Sequence, residues 1–284
     1  MLKIGITGGS GFLGSLLSKR LNDAEMYDVK TVDVVGDPLF DPTILKEFVT
    51  GADVVYHLAG IKDSKNPDLV RVNVQGTKNL LEMIRKFAPK SHFVFASSFA
   101  VYKIPKFGQI ISENFSTLPR NEYGKSKLEA EKYIREYSNK FNIKSTILRM
   151  SNVYGPGDSF GRNSVVSDFI DKIRKGETIC IDGDGSQTRD FIFVDDVVSA
   201  LIKVKSDPNH FNILNIASGE EISISKLVSI VEKIVNKKAI VKFNPVGSQG
   251  GFWKGDPRLA MKLLSWSPSI SLEDGVRRII MTKI

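Results

Sequence analysis

Cysteine is almost missing from this chain: Cys180 is the only one among 284 residues, so no intrachain disulfide can form. A reducing cytoplasm is the natural setting for such a composition. No apolar run approaches the ~20 residues needed to span a bilayer. Leu2 to Thr7 already reads as a strand, with neither the basic n-region nor the apolar h-region of a secretory signal before it. There is no internal repeat and no low-complexity linker. Acidic residues are in deficit, 32 against 40 basic, which leaves a net charge of +8. That excess favours an anionic ligand, but the lysines are spread along the chain, with only short groups such as Lys237-Lys238. A solvated lysine-rich surface explains them better than nucleic-acid binding. What is present, 42% hydrophobic and 25% charged residues, is ordinary for a soluble globular protein. The length suits one large domain, or a domain with an appended lobe.

The first half alternates strand-like and helix-like stretches, which argues for a doubly wound α/β domain. Leu2 to Thr7 runs into Gly8-Gly9-Ser10-Gly11-Phe12-Leu13-Gly14, and Leu13, Leu16, Leu17 and Leu21 then carry helical periodicity. Gly9, Gly11 and Gly14 satisfy the dinucleotide fingerprint, in which the pyrophosphate sits at a helix N-terminus. A second strand, Val29 to Val32, ends at Asp33, about twenty residues beyond the loop, where a carboxylate binds ribose hydroxyls and repels a 2'-phosphate. NAD is therefore expected rather than NADP. Between Asp33 and the strand Asp53 to Leu58 the chain is compressed, with one short helix around Ile44 to Val49. Which of Asp37 and Asp41 approaches the adenine is open.

Further strands at Phe93 to Ala96 and Ser145 to Met150 end in Ser97-Ser98 and in Ser151-Asn152, and ligands in open parallel sheets bind outside such carboxyl ends. From about Gly155 the pattern changes to shorter, mixed elements. These are expected to form a smaller C-terminal α/β substrate lobe over a Rossmann-type doubly wound parallel sheet. The corresponding division is residues 1–154 and 155–284, with parts of 185–217 returning to the first domain.

Tyr123-Gly124-Lys125-Ser126-Lys127 opens a helix running to about Phe141, whose buried stripe is marked by Ala130, Ile134, Tyr137 and Phe141. Tyr123 and Lys127 lie one turn apart on that stripe. An inward lysine is unusual, because an unpaired ammonium taken out of water needs an anionic answer. A phenol one turn away can supply it. Moving a tyrosine from its free value to near neutrality takes about 4 kcal/mol, and would make Tyr123 an acid/base at neutral pH. A tyrosine and a lysine capping an ordinary helix fit the same pentapeptide.

Together these blocks resemble the extended short-chain dehydrogenase/reductase family, in its NAD-dependent nucleotide-sugar epimerase/dehydratase branch. The resemblance runs through TGGSGFLG from Thr7 to Gly14, Asp33, HLAG from His57 to Gly60, VNVQGTKNLLE from Val72 to Glu82 and ASSFAVY from Ala96 to Tyr102. It continues through YGKSK, RMSNVYGPGD from Arg149 to Asp158, GDGSQTRDFIFVDDV from Gly183 to Val197, and the tryptophan-proline tail. It implies that Tyr123 is the catalytic acid/base, that Lys127 holds the nicotinamide ribose and depresses the tyrosine, and that Ser98 binds the reacting sugar hydroxyl. The implied cofactor is NAD, held by Gly8, Gly11, Phe12, Leu13, Gly14 and Asp33 on one side. Leu58, Ala59, Gly60, Asn73 and Ser97 complete the cofactor site with Tyr123 and Lys127. Asn152 and Arg189 match positions that hold a nucleoside diphosphate; a salt bridge from Arg189 to a neighbouring aspartate is the lesser alternative. No metal, nucleic-acid or membrane partner is implied. A homodimer through the helices carrying Thr77 to Arg85 and Lys127 to Tyr137 is left open by their lysine- and glutamate-rich outer faces.

Two departures refine the expectation. Dehydratases of this branch follow the catalytic serine or threonine with an Asp-Glu pair, whereas Phe99-Ala100 stand here, and neither can transfer a proton. The usual second diphosphate-binding arginine is replaced by the stretch from Gly247 to Asp256, leaving Lys254 or Arg258 as substitutes. The implied activity is C4 epimerisation of a nucleoside-diphosphate hexose, with 4-ketoreduction of an activated deoxysugar as the close alternative. A nonenzymatic dinucleotide-sensing regulator on the same fold is the reading from another class.

Overall fold

The computed structural model describes residues 1–33, 36–157, 164–207, 209–245 and 250–282. Asp158 and residues 247–249 of the stretch before Asp256 lie outside the described residues. The elements in order are β1 (Leu2–Thr7), α1 (Phe12–Asn22), β2 (Tyr27–Val32), α2 (Pro42–Val49), β3 (Val54–His57), a π-helical turn (Arg71–Gly76) continuing into α3 (Thr77–Phe87), and β4 (His92–Ser98). Next come α4 (Glu122–Phe141), β5 (Ser145–Met150), β6 (Asn152–Tyr154), α5 (Val165–Lys175), β7 (Thr178–Asp182), β8 (Thr188–Arg189), β9 (Phe191–Phe193) and α6 (Val194–Lys203). The chain closes with β10 (Phe211–Ile216), β11 (Ile222–Ser223), α7 (Ile224–Val235), β12 (Ile240–Asn244), α8 (Arg258–Leu264) and α9 (Leu272–Thr282).

Among the described residues six strands form one parallel sheet in the order β10-β5-β4-β3-β1-β2. Fully doubly wound sheets place a third strand outside the second. Here β2 is the edge, because only a short turn and α2 separate it from β3, and this accounts for the compression after Asp33. Central strands such as β5, a continuous run of buried Ser-Thr-Ile-Leu-Arg-Met, are covered on both faces, as parallel strands must be. One face is sealed by the apolar sides of α2, α3 and α4, with Leu80, Ile84, Ala130 and Ile134 fully buried against Phe93, Phe95 and Ile147.

The other face carries Leu17 and Leu21 of α1 and Val197 and Leu201 of α6, and the same cluster runs on into Ile170, Ile179, Leu227 and Val276. The C-terminal elements thus extend the core of the sheet instead of enclosing one of their own. They are joined in pairs, β7 with β12, β8 with β11, and β6 with β9, beyond the strand ends. β10 returns to the main sheet beside β5.

Candidate functional site

The glycine turn after β1 is shaped for close approach. A Cβ on Gly14 would lie 1.9 Å from the Gly8 carbonyl oxygen, so only glycine lets α1 start this near the strand. The helix begins at Gly11 with no side-chain cap and no acidic residue in its first turn, which leaves its amide dipoles for an anion. Asp33 accepts a hydrogen bond from the Ser10 N–H at 2.9 Å, fixing the end of β2 to the turn. Leu58 and Ala59 press on the turn from β3, donating their N–H groups to the Thr7 carbonyl at 3.1 Å and to Thr7 Oγ1 at 3.2 Å. Phe12 and Leu13 are half-buried under the turn, and the Phe12 ring lies beside Gly155. This is a cradle that a dinucleotide pyrophosphate fits. The two acids left open for the adenine are both committed: Asp41 caps α2 through the Thr43 and Ile44 N–H groups, and Asp37 takes both guanidinium arms of Arg71.

A buried relay behind the cradle was missed by sequence reasoning. The Ala59 N–H donates to Thr7 Oγ1, Thr7 Oγ1 meets His57 Nδ1 at 2.6 Å, His57 Nε2 meets Thr77 Oγ1 at 2.9 Å, and the Thr77 hydroxyl donates to the Asn73 carbonyl at 2.7 Å. Because the Thr77 proton is spent on Asn73, His57 donates from Nε2. Burial pushes His57 down to about 3, so the ring is neutral and Nδ1 accepts from Thr7. Asn73 itself is buried and directs its side chain both ways: Oδ1 accepts the Ile61 N–H at 2.8 Å, while Nδ2 donates to the Ile61 carbonyl and to Ser126 Oγ, each at 2.9 Å. Its expected support of the cofactor site is therefore the joining of the loop after β3 to α4.

That joint brings the catalytic candidates together. A Cβ on Gly60 would stand 3.2 Å from Lys127 Nζ and 3.1 Å from Asn73 Oδ1. Tyr123 is half-buried at the start of α4, whose N-cap Asn121 accepts the Gly124 N–H. The Ser98 hydroxyl lies close enough to Tyr123 to pull its pKa down, and it accepts the Ala100 N–H at 3.2 Å. Lys127 Nζ donates to the Ala96 carbonyl at 2.9 Å and lies 4.6 Å from the Phe95 ring centre and 6.0 Å from that of Tyr123.

In the ligand-free chain burial pushes Tyr123 up to about 12, against a smaller downward pull from Ser98, and burial brings Lys127 down to about 7 with help from Lys62. The lysine alone does not make a phenolate of the tyrosine there. The anion acting on Lys127 is Glu131, one turn further along α4, and its spacing from Tyr123 and Lys127 was the available signal. Ser97, expected to bind the cofactor, gives its hydroxyl proton to Glu131 Oε1 at 2.5 Å.

Arg189 is half-buried, and among the described residues its side chain donates to the carbonyls of Thr188 (2.7 Å) and Gly250 (2.9 Å). Burial lowers its pKa, and no carboxylate answers it among the described residues. A desolvated guanidinium without a counter-charge suits a diphosphate. Asn152 donates its backbone N–H and its Nδ2 to the Asp190 carbonyl at 3.0 and 3.1 Å. Of the two substitutes for a second arginine, Arg258 is committed to Asp256 at 2.8 and 2.6 Å. Lys254 is half-buried nearby, next to Trp253, whose indole N–H shares the Gly250 carbonyl with Arg189. Phe99 is buried, so no acid follows Ser98.

The model of the NAD dependent epimerase/dehydratase family matches residues 4–217. Among curated relatives, an uncharacterized UDP-glucose epimerase of Bacillus subtilis is 31% identical, with 97% of this chain and 96% of that protein covered. The dTDP-4-dehydro-6-deoxyglucose reductase of Escherichia coli is 32% identical, with 97% and 95% covered. Among solved structures, the UDP-glucose 4-epimerase of Thermotoga maritima with UDP-glucose superposes with a TM-score of 0.89 at 26% identity, covering 99% of this chain and 98% of that one. The cradle at Gly14, the Tyr123-Lys127-Ser98 cluster and these matches agree, and the chain belongs to the NAD dependent epimerase/dehydratase family.

Proposed function

We propose that this protein is an NAD-dependent epimerase of a nucleoside-diphosphate hexose, acting at C4 on a UDP-glucose or UDP-galactose type of substrate. The observation that carries the reading is the convergence of Tyr123, Ser98 and Lys127 at the end of β4, with Lys127 beside Gly60; Arg189, which no carboxylate answers among the described residues, supports it. Residues 1–154, with parts of 185–217, chiefly serve the dinucleotide, and the rest of 155–284 chiefly serves the nucleotide sugar. NAD, when bound, supplies a reversible two-electron acceptor. Ser98 orients the C4 hydroxyl and Tyr123 exchanges its proton. Arg189 and Asn152 grip the nucleotide and leave the hexose free to turn over and be reduced on its other face. Phe99 and Ala100, which hold no proton, argue against dehydration.

The reductase relative supports a second reading, 4-ketoreduction of an activated deoxysugar, which uses the same three residues in one direction only. Incubating the protein with a panel of nucleotide hexoses and 4-keto-6-deoxy sugars, while following sugar products and nicotinamide absorbance, separates them. Interconversion of a gluco and galacto pair without net absorbance change is the expected result. Stoichiometric loss of reduced nicotinamide with a keto-sugar would establish the reductase instead.

A further inference from the structure

Three consecutive residues at the end of β4 are each held by α4. Ala96 offers its carbonyl to Lys127, Ser97 gives its proton to Glu131, and Ser98 meets Tyr123. The three helix residues are spaced four apart, so they share one face. Two of them are the proposed catalytic pair, and the third has so far no part in the chemistry. Glu131 is 4% exposed, and its other partner, Arg149, is just as dry. Arg149 stands directly beside Ser97 in the β4–β5 register and donates from Nε to Glu131 Oε1 at 3.0 Å and from Nη2 to Oε2 at 2.6 Å. A buried pair of this kind adds little stability over apolar side chains of the same volume, because desolvation offsets most of the attraction. Its position on the catalytic face calls for another explanation.

The groups acting on the Lys127 ammonium are few. From α4 come Glu131 and the Tyr123 ring, from β4 the Ala96 carbonyl and the Phe95 ring, from β3 the neutral His57, and from the following loop the cation of Lys62. Glu131 is the one anion in this set among the described residues. We propose that Glu131 is a positioning residue for the catalytic cluster: through Ser97 and Arg149 it locks β4 and β5 to α4 in the register that sets Tyr123 and Lys127 against the end of β4. This rests on the reading of Tyr123, Lys127 and Ser98 given above.

The test compares wild type with Glu131→Gln and with the double variant Glu131→Gln/Arg149→Met. The single variant strands a buried guanidinium and is expected to melt lower; the double variant removes both charges and is expected to recover the melting temperature. A merely structural role predicts that turnover recovers with it. Positioning predicts that turnover of the refolded double variant stays at least about tenfold below wild type, with KM for the nucleotide sugar within about twofold because Arg189 and Asn152 are untouched. A double variant with wild-type melting and wild-type turnover overturns the proposal.

Ser97→Ala removes only the link to β4 and is expected to lower turnover several-fold. Unchanged turnover in that variant overturns the proposal even if the double variant does not fold. If wild-type protein converts no sugar in the panel, the activity reading has failed. NAD titrations of wild type and of the double variant then still decide the positioning of Lys127, with a several-fold weaker affinity expected: unchanged NAD affinity in a double variant of wild-type melting overturns it.

Discussion

Burying Lys127 works against the ligand-free protein, because its ammonium is taken from water and meets a carbonyl, two rings and a single anion. The folded value of about 7 lies below the ordinary 10.5, so between these values the unfolded chain holds a proton that the native chain has released. Stability therefore rises with pH across that window, and the full penalty is present below it. Lys127→Met keeps the apolar stem and removes the charge. It is expected to stabilise the ligand-free protein by roughly 2–4 kcal/mol near pH 6, with the gain fading toward pH 10, while turnover is lost. Calorimetric melting at the two pH values checks the sign. Tyr123 has the opposite relation to its surroundings: burial favours its neutral phenol, whereas the proposed mechanism needs a phenolate before the C4 hydroxyl proton can be taken. Tyr123→Phe is expected to lower turnover by about 10²–10⁴-fold with NAD affinity unchanged, read by initial rates and by titration of the cofactor. Wild-type turnover in this variant would remove Tyr123 from the mechanism.

At the scale of elements, the glycine turn is the place where one methyl group decides binding. Gly14→Ala puts a Cβ against the Gly8 carbonyl at 1.9 Å, and the neighbour is backbone, which cannot rotate away. Either α1 shifts outward or the turn opens. A stability loss of about 1–3 kcal/mol and at least a tenfold weaker NAD affinity are expected, checked by denaturant titration and calorimetric binding. Elements of this kind were legible in the sequence because periodicity and turn chemistry are local. The strand Ser145 to Met150 and the helix ending at Phe141 are found where alternation and stripe place them. The edge position of β2 was visible only as a shortage of residues after Asp33, since strand order is a property of the whole sheet. The π-helical turn Arg71–Gly76 left no mark in the spacing at all. It aims Asn73 at Ile61 and Ser126, partners twelve and fifty-three positions away.

Across the whole molecule, the site depends on partners that no window of sequence contains. Ser97, Glu131 and Arg149 read singly as a turn residue, a helix-surface acid and a strand cation. Only the fold makes them one buried cluster. Asp190 is the second such centre. It is fully buried, no cation pairs with it among the described residues, and burial raises its pKa against the pull of its hydrogen bonds. Oδ1 accepts from the Ser151 hydroxyl at 2.9 Å and from the Ser218 N–H and hydroxyl at 2.8 and 2.9 Å, and Oδ2 accepts from the Gly219 N–H at 3.0 Å and the Gly255 N–H at 3.1 Å. These donors come from the loop after β5, the loop after β10 and the strand of chain before α8, so one carboxylate ties the sheet's carboxyl edge to the C-terminal elements. Its own carbonyl holds Asn152, and its neighbour is Arg189. Asp190→Asn is nearly isosteric but turns an NH₂ group toward at least one set of N–H donors, leaving buried amides unanswered. A loss of about 2–4 kcal/mol is expected by denaturant unfolding. Because the damage falls on the elements that carry Asn152 and Arg189 and spares the glycine turn, KM for the nucleotide sugar is expected to rise about tenfold or more while NAD affinity stays within about twofold. Equal weakening of both ligands would mean that Asp190 supports the fold as a whole and not the substrate side of the site.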